Sequence, residues 1–249
     1  MKFIFFGITQ GLTEFLPVSS SGHLYLLKKI IGVDGDYLPF FIFLHIATLL
    51  TIAFFFYEDI KLFKNKKLLL NILLISFITG IVGITVELSL KRFFDNTYLL
   101  SACFLFNALI LMKAKFHSTE RDWSDINFKD SFFIGLVQGL AALPGISRSG
   151  ITIVALLKRG FSKKDSFKLS FLMVIPIILG AFFLNFDGLL VKNFSLFNIL
   201  IGFVFAFLFG ILALKIVKRT LVTERIDKFA YYCLIISILV LLSSLIKSN

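Results

Sequence analysis

The chain has 249 residues, 58% of them hydrophobic, a mean hydropathy of +0.93 and a net charge of +11. That composition excludes an ordinary soluble domain, which needs more polar surface to stay dispersed, and makes a bilayer the natural solvent. The basic residues fall in short clusters between apolar runs, the pattern that orients membrane proteins, so nucleic acid is not the expected partner.

Residues 4–27 come first, apolar at their ends but interrupted by Glu14, Pro17, Ser19, Ser20, Ser21, Gly22 and His23. A continuous spanning helix would be poorly satisfied there, and irregular backbone at membrane depth is tolerated only inside protein or beside water. A re-entrant helix–turn–helix hairpin is therefore expected. Three apolar spans follow at 39–57, 68–90 and 97–112, the last short for a crossing that needs about 17–25 helical residues. A second interrupted segment, 131–157, repeats the Pro, Ser and Gly pattern and precedes spans at 167–186, 196–217 and 229–246. The expected fold is all-α and integral to the membrane, with six transmembrane helices and two re-entrant helical hairpins. Cys103 and Cys233 lie within apolar runs and read as small core residues, not as a disulfide or metal site. The N-terminus lacks a small-residue cleavage site and is expected to belong to the mature protein.

Charge orients this layout. With the first span running inward, the inner side receives Lys61, Lys64, Lys66, Lys67, Lys113, Lys115, Arg121 and Lys129. It also takes Lys158, Arg159, Lys163, Lys164, Lys215, Lys218, Arg219, Arg225 and Lys228. The outer side keeps Lys2, Lys28, Lys29, Lys91, Arg92, Lys192 and Lys247. The excess lies inside, as the positive-inside rule requires, and both chain ends are then expected outside.

A shift of 128 residues lays "QGLTEFLPVSSSG" at Gln10–Gly22 over "QGLAALPGISRSG" at Gln138–Gly150. The same shift carries each of the first three spans onto one of the last three. Two pseudo-repeats follow, about 1–112 and 131–249, each a hairpin and three crossings. Three is odd, so the second half is expected to enter inverted, with the two tips meeting near the midplane. The tips differ: Glu14, Ser20 and His23 stand where the second half has Ala142, Arg148 and Ile151.

An arginine beside serine hydroxyls and glycine-rich helix N-termini suits phosphate, through bidentate guanidinium contacts and free backbone N–H groups. Arg148 is expected to bind the anion; the alternative is a buried ion pair with Glu14. His23 suits a nucleophile or general acid, against a role bonding a helix carbonyl. Glu14 can orient His23, take a proton from a nucleophile or hold a divalent ion. Ser20 is a candidate nucleophile, as are His23 and a water activated by Glu14, and Ser19, Ser21, Ser147 and Ser149 are candidates for contacting substrate, with helix capping competing for all five serines. Gln10 and Gln138 are expected to bond the neighbouring hairpin or to pack. His45 reads first as a satisfied interhelical donor that also has access to the cavity, and His117 has no assigned role.

"QGLTEFLPVSSSGH" together with "LPGISRSGITI" resembles the undecaprenyl-diphosphatase family, the bacitracin-resistance membrane phosphatases, over the entire chain. The resemblance implies hydrolysis of undecaprenyl diphosphate to undecaprenyl phosphate and inorganic phosphate, which recycles the lipid carrier for cell-wall polymers. It implies a site in the bacterial cytoplasmic membrane open to the outer face, containing His23, Arg148 and the serines of both tips. The family's first motif is Glu or Gln, three residues, then Glu; Gln10 and Glu14 match the Gln form and leave one carboxylate. No resident cofactor is assigned. A loosely bound Mg²⁺ or Ca²⁺ bridging the diphosphate is compatible with the motif. The implied partners are the polyprenyl diphosphate and membrane lipids, with a homodimer allowed. Type-2 phosphatidic acid phosphatases share the Ser-Gly-His echo but need a second histidine where this chain has Val154. The rival class is an inverted-repeat transporter or lipid-carrier flippase, which has little use for acid, hydroxyl and imidazole groups in one half only.

Overall fold

Two prolines decide where the interrupted segments break. In a computed structural model, which describes residues 1–33, 35, 37–90, 92, 96–114, 121–184 and 194–248, helix α1 (Lys2–Phe15) stops at Leu16. Leu16 precedes Pro17 and is extended, as the proline ring demands, with φ −62° and ψ 143°. Helix α2 (Ser20–Ile31) restarts on Ser19, whose Oγ accepts the Gly22 N–H at 3.4 Å. The second segment breaks by the same means. After α6 (Phe128–Gly139) and a single 3₁₀ turn, Leu143 is extended before Pro144, and Ser147 caps α7 (Arg148–Lys158) by accepting the Gly150 N–H at 3.2 Å. Two helix–turn–helix units thus stand where the interruptions were read.

The remaining helices are α3 (Leu38–Phe55), α4 (Lys66–Leu90), α5 (Thr97–Met112), α8 (Lys163–Leu172), α9 (Val174–Leu184), α10 (Leu196–Val222) and α11 (Asp227–Ser248). The described residues form an all-α, multi-pass membrane protein. Five units are long and apolar enough to cross a bilayer, namely α3, α4, α8 with α9, α10 and α11, while α5 has 16 residues and is shorter than a full crossing. Observed ends differ from the expected ones by a few residues: α8 begins at Lys163 rather than near 167, and α10 runs on to Val222 rather than ending near 217. The break at Met173 between α8 and α9 has a local cause: Pro176 has no N–H to offer the Leu172 carbonyl. Lys91, Lys115, His117, Lys192, the Lys247 side chain and the expected span end at Phe186 lie outside the described residues.

Small residues set the tightest packing. In α1, Gly7 and Gly11 lie against Gly202, Ala206 and Gly210 of α10, where any Cβ on α1 would strike backbone. Gly135 and Gly139 of α6 lie against the side chains of Ile78 and Val82 of α4, which an added Cβ would strike. Helices α5 and α11 are joined by reciprocal bonds, Ser101 Oγ–H to the Ser237 carbonyl and Ser237 Oγ–H to the Ser101 carbonyl, both 2.8 Å. The main core, with Phe15, Ile52, Ile75, Phe171 and Leu214 at its centre, sits beneath the two turns. Leu70, Phe77 and Leu88 of α4 stay mostly exposed, as a lipid-facing helix permits.

A buried carboxylate clamps the open end of the second unit. Asp130, at the start of α6, takes Arg121 Nη2 at 2.6 Å and Arg159 Nε at 2.6 Å, the latter just beyond α7. Burial alone would push the Asp130 carboxyl up, but the hydrogen bonds from both arginines hold it below the usual carboxylate range.

Candidate active site

The two turns meet directly. The Gly145 N–H donates to Ser19 Oγ at 3.0 Å, and a Cβ on Gly150 would lie 3.0 Å from the Pro17 ring. Asn107, fully buried on α5, pins both turns at once. Its Nδ2 donates to the Pro17 carbonyl at 2.9 Å, and its Oδ1 accepts the Ser147 N–H at 2.9 Å. Gly145 has φ +100°, which lets the second turn press against the backbone of α5, where a Cβ would have 3.0 Å to the Leu100 carbonyl. Ser19 holds φ 71° without being glycine, a strained backbone at the point where the turns touch.

Glu14 is the hub of the site. Its Oε1 faces Arg148 Nη2 at 2.5 Å, and its Oε2 accepts from Ser20 Oγ at 2.7 Å and from Gln10 Nε2 at 3.1 Å. His45 Nε2 stands 3.6 Å from the same Oε2, while its Nδ1 is bonded to the Phe41 carbonyl at 2.8 Å. The His45 bond to its own helix, rather than to another, leaves Nε2 facing the cavity. Among the described residues, Arg148 Nη1 and Gln10 Oε1 are buried with no partner. A buried guanidinium N–H that no described residue accepts is a donor suited to a ligand acceptor.

These groups line a cavity of about 330 Å³, within the range of small-ligand sites. Ser19, Ser20 and Ser21 open α2 at its wall, and Ser147 and Arg148 open α7, so two helix N-termini end at one space. The opposite wall is apolar, with Leu38 and Ile42 of α3 and Ile177, Ile178 and Phe182 of α9.

Among the expected site residues, Glu14, Ser19, Ser20, Ser21, Ser147 and Arg148 come together around the cavity, with Gln10 behind Glu14. Ser149 sits beneath the turn, 3.3 Å from the Leu16 carbonyl and 3.1 Å from Ser147 Oγ. The structure does not bring His23 into the cavity. Its Nδ1 is bonded to the Ser19 carbonyl at 2.7 Å and its Nε2 to the Tyr232 hydroxyl at 2.8 Å, with the two rings stacked. Gln138 bonds Thr79 of α4 at 3.2 Å and lies 3.1 Å from Thr152 Oγ1. Sequence reasoning missed Asn107 altogether; a lone amide in the apolar run "CFLFNALILM" was the available signal.

The donor set does not build a cage for a divalent cation. Glu14 is the one carboxylate on the cavity wall, and both its oxygens are engaged. Among the described residues no three His, Cys, Asp or Glu side chains converge.

The family model described as "Bacitracin resistance protein BacA" matches residues 3–239. An undecaprenyl-diphosphatase of Halothermothrix orenii is 35% identical over 250 residues, covering 97% of this chain and 96% of that protein. One of Methanobrevibacter smithii is 36% identical, covering 97% of this chain and 96% of that protein, and one of Thermosipho africanus is 37% identical, covering 96% and 98%. With paired turns, a guanidinium and a carboxylate meeting at two helix N-termini, and a match along nearly its whole length, this chain belongs to the bacitracin resistance protein BacA family.

Proposed function

We propose that this protein hydrolyses undecaprenyl diphosphate to undecaprenyl phosphate and inorganic phosphate, and so takes part in recycling the lipid carrier for cell-wall synthesis and in bacitracin resistance. The observation that carries this reading is the meeting of Arg148, Ser20 and Glu14, from opposed turns, in one cavity with an apolar wall. The outer phosphoryl group is held by Arg148, whose Nη1 is unpaired, and by N–H groups opening α2 and α7, all placed where charge grows in the transition state.

Ser20 Oγ is the attacking atom this geometry favours, because it lines the cavity and already donates to Glu14 Oε2 at 2.7 Å. Its proton passes to Glu14 as the Oγ–P bond forms. The bond from phosphorus to the bridging oxygen breaks, and its electron pair stays with undecaprenyl phosphate. Glu14 passes that proton to the departing undecaprenyl phosphate, then takes one from the water that attacks phosphorus and returns it to Ser20 Oγ as the Oγ–P bond breaks, releasing inorganic phosphate. Ser19, Ser21 and Ser147 position the phosphate oxygens. His23 acts through its bond to the Ser19 carbonyl, steadying the turn that carries Ser20.

In the topology that supports this reading, α5 completes a sixth crossing and the two helix–turn–helix units are re-entrant. The matched contacts support an inverted repeat, since shifting Gly11 and Gly210 by 128 residues relates them to Gly139 and Val82, and both pairs touch. The positive-inside count favours a cytoplasmic membrane setting with the cavity open outward and both chain ends outside. A transporter would use the same repeat but not the one-sided serine and carboxylate.

Purified protein in detergent, given undecaprenyl diphosphate, is expected to release phosphate, and Arg148→Ala and Ser20→Ala to abolish that release. Unchanged turnover in both variants would overturn the assignment.

A further inference from the structure

Arg148 stands between two cavities. Beyond it, on the side away from α3, a second space of about 480 Å³ runs between α4 and α9 and shares Ala141, Arg148, Ile177 and Ala181 with the first. Gly80 and Gly83 lie on its α4 wall and Gly180 on its α9 wall, and Glu87 also lines it. A Cβ placed on Gly80 or Gly180 would meet nothing within 4 Å, and one on Gly83 would meet only Ala142 at 3.8 Å. These glycines contrast with Gly7, Gly11, Gly135 and Gly139, which are small because another helix presses on them. Among the described residues, no backbone presses on this trio as it does on Gly7 and Gly11.

We propose that the α4–α9 groove is the subsite for the polyprenyl chain of the substrate, and that Gly80, Gly83 and Gly180 keep it open. The inference rests on the phosphatase reading and adds to it where the tail lies. Three observations select this occupant. The groove adjoins the phosphate site, sharing Arg148 with it. Ile81, Ile84 and Leu88, beside it on α4, are exposed, so a chain can enter sideways from lipid. Glu87 is exposed, and its charge on the groove wall opposes a phosphate settling there while leaving an uncharged isoprenoid unaffected. Glycine in a helix interior is otherwise disfavoured, so the open space is the only gain visible at Gly80 and Gly83.

Gly83→Leu and Gly80→Leu test the proposal, since each side chain has room to fill the groove and each change favours helix. Wild type and variants are assayed in detergent with undecaprenyl diphosphate and with isopentenyl diphosphate, whose chain is a single isoprene unit. The expected result is a KM for undecaprenyl diphosphate raised about tenfold or more, from the apolar contacts displaced, with turnover of the short substrate unchanged. An unchanged KM for the long substrate overturns the subsite. So does an equal loss on both substrates, which would place the effect at Arg148. If one variant does not yield folded protein, the other decides. A wild type that releases no phosphate from either substrate refutes the phosphatase reading itself, a separate outcome.

Discussion

Arg148 Nη2 and Glu14 Oε1 lie 2.5 Å apart although 134 residues separate them in the chain. The pair is both the joint between the two turns and the centre of the proposed chemistry, so its two roles can be separated by mutation. Removing one partner leaves a buried charge uncompensated, at a cost of about 3–5 kcal/mol. Arg148→Ala and Glu14→Ala should each lower the thermal midpoint markedly, while the double variant should recover part of the loss and none of the turnover. Additive destabilisation in the double variant would contradict the pairing.

Glu14→Gln keeps the shape of the site and removes the base. Turnover should fall by roughly 10²–10⁴, the usual contribution of a placed general base, with a smaller change in KM. Phosphate release against substrate concentration checks this, and a variant within threefold of wild type would be inconsistent with Glu14 as base.

Asn107 bonds both turns through one amide. Asn107→Leu leaves the Ser147 N–H and the Pro17 carbonyl buried without that partner, at about 1–3 kcal/mol for each group. Stability and turnover should drop together. Asn107→Asp keeps an acceptor for the Ser147 N–H and, while the buried acid is neutral, an O–H donor for the Pro17 carbonyl, so it should retain more activity than Asn107→Leu at those pH values and lose it as the acid ionises. The reverse order would show that the amide does not register the turns.

Asp130 gives the clearest pH dependence. Because its folded carboxyl lies below the ordinary range, its stabilisation is fully present above about pH 4 and is lost as the pH falls through the lower folded value. Asp130→Asn should be less stable than wild type at pH 7, and the gap should narrow at strongly acid pH. Fluorescence of Trp123, the single tryptophan, against temperature at several pH values reads this directly.

Much of the architecture was legible because hydropathy, proline and serine act over a few residues. The breaks at Leu16 and Leu143, the caps at Ser19 and Ser147, and the 16-residue helix at 97–112 all follow from neighbours in the chain. The match of Gln10–Gly22 to Gln138–Gly150 brought Glu14 and Arg148 into one hypothesis before any coordinates. Pairings between distant helices were another matter. Asn107 entering from α5, His45 facing Glu14 across the cavity, and His23 turning to Tyr232 depend on how closely helices approach, which glycines such as Gly11 and Gly202 permit and no local pattern specifies. A histidine one turn beyond three serines looks the same in sequence whether its ring enters the cavity or bonds a neighbouring tyrosine. Only packing among α2, α5 and α11 chose the second, because hydrogen bonds are short-ranged and the partner's position is a property of the whole fold.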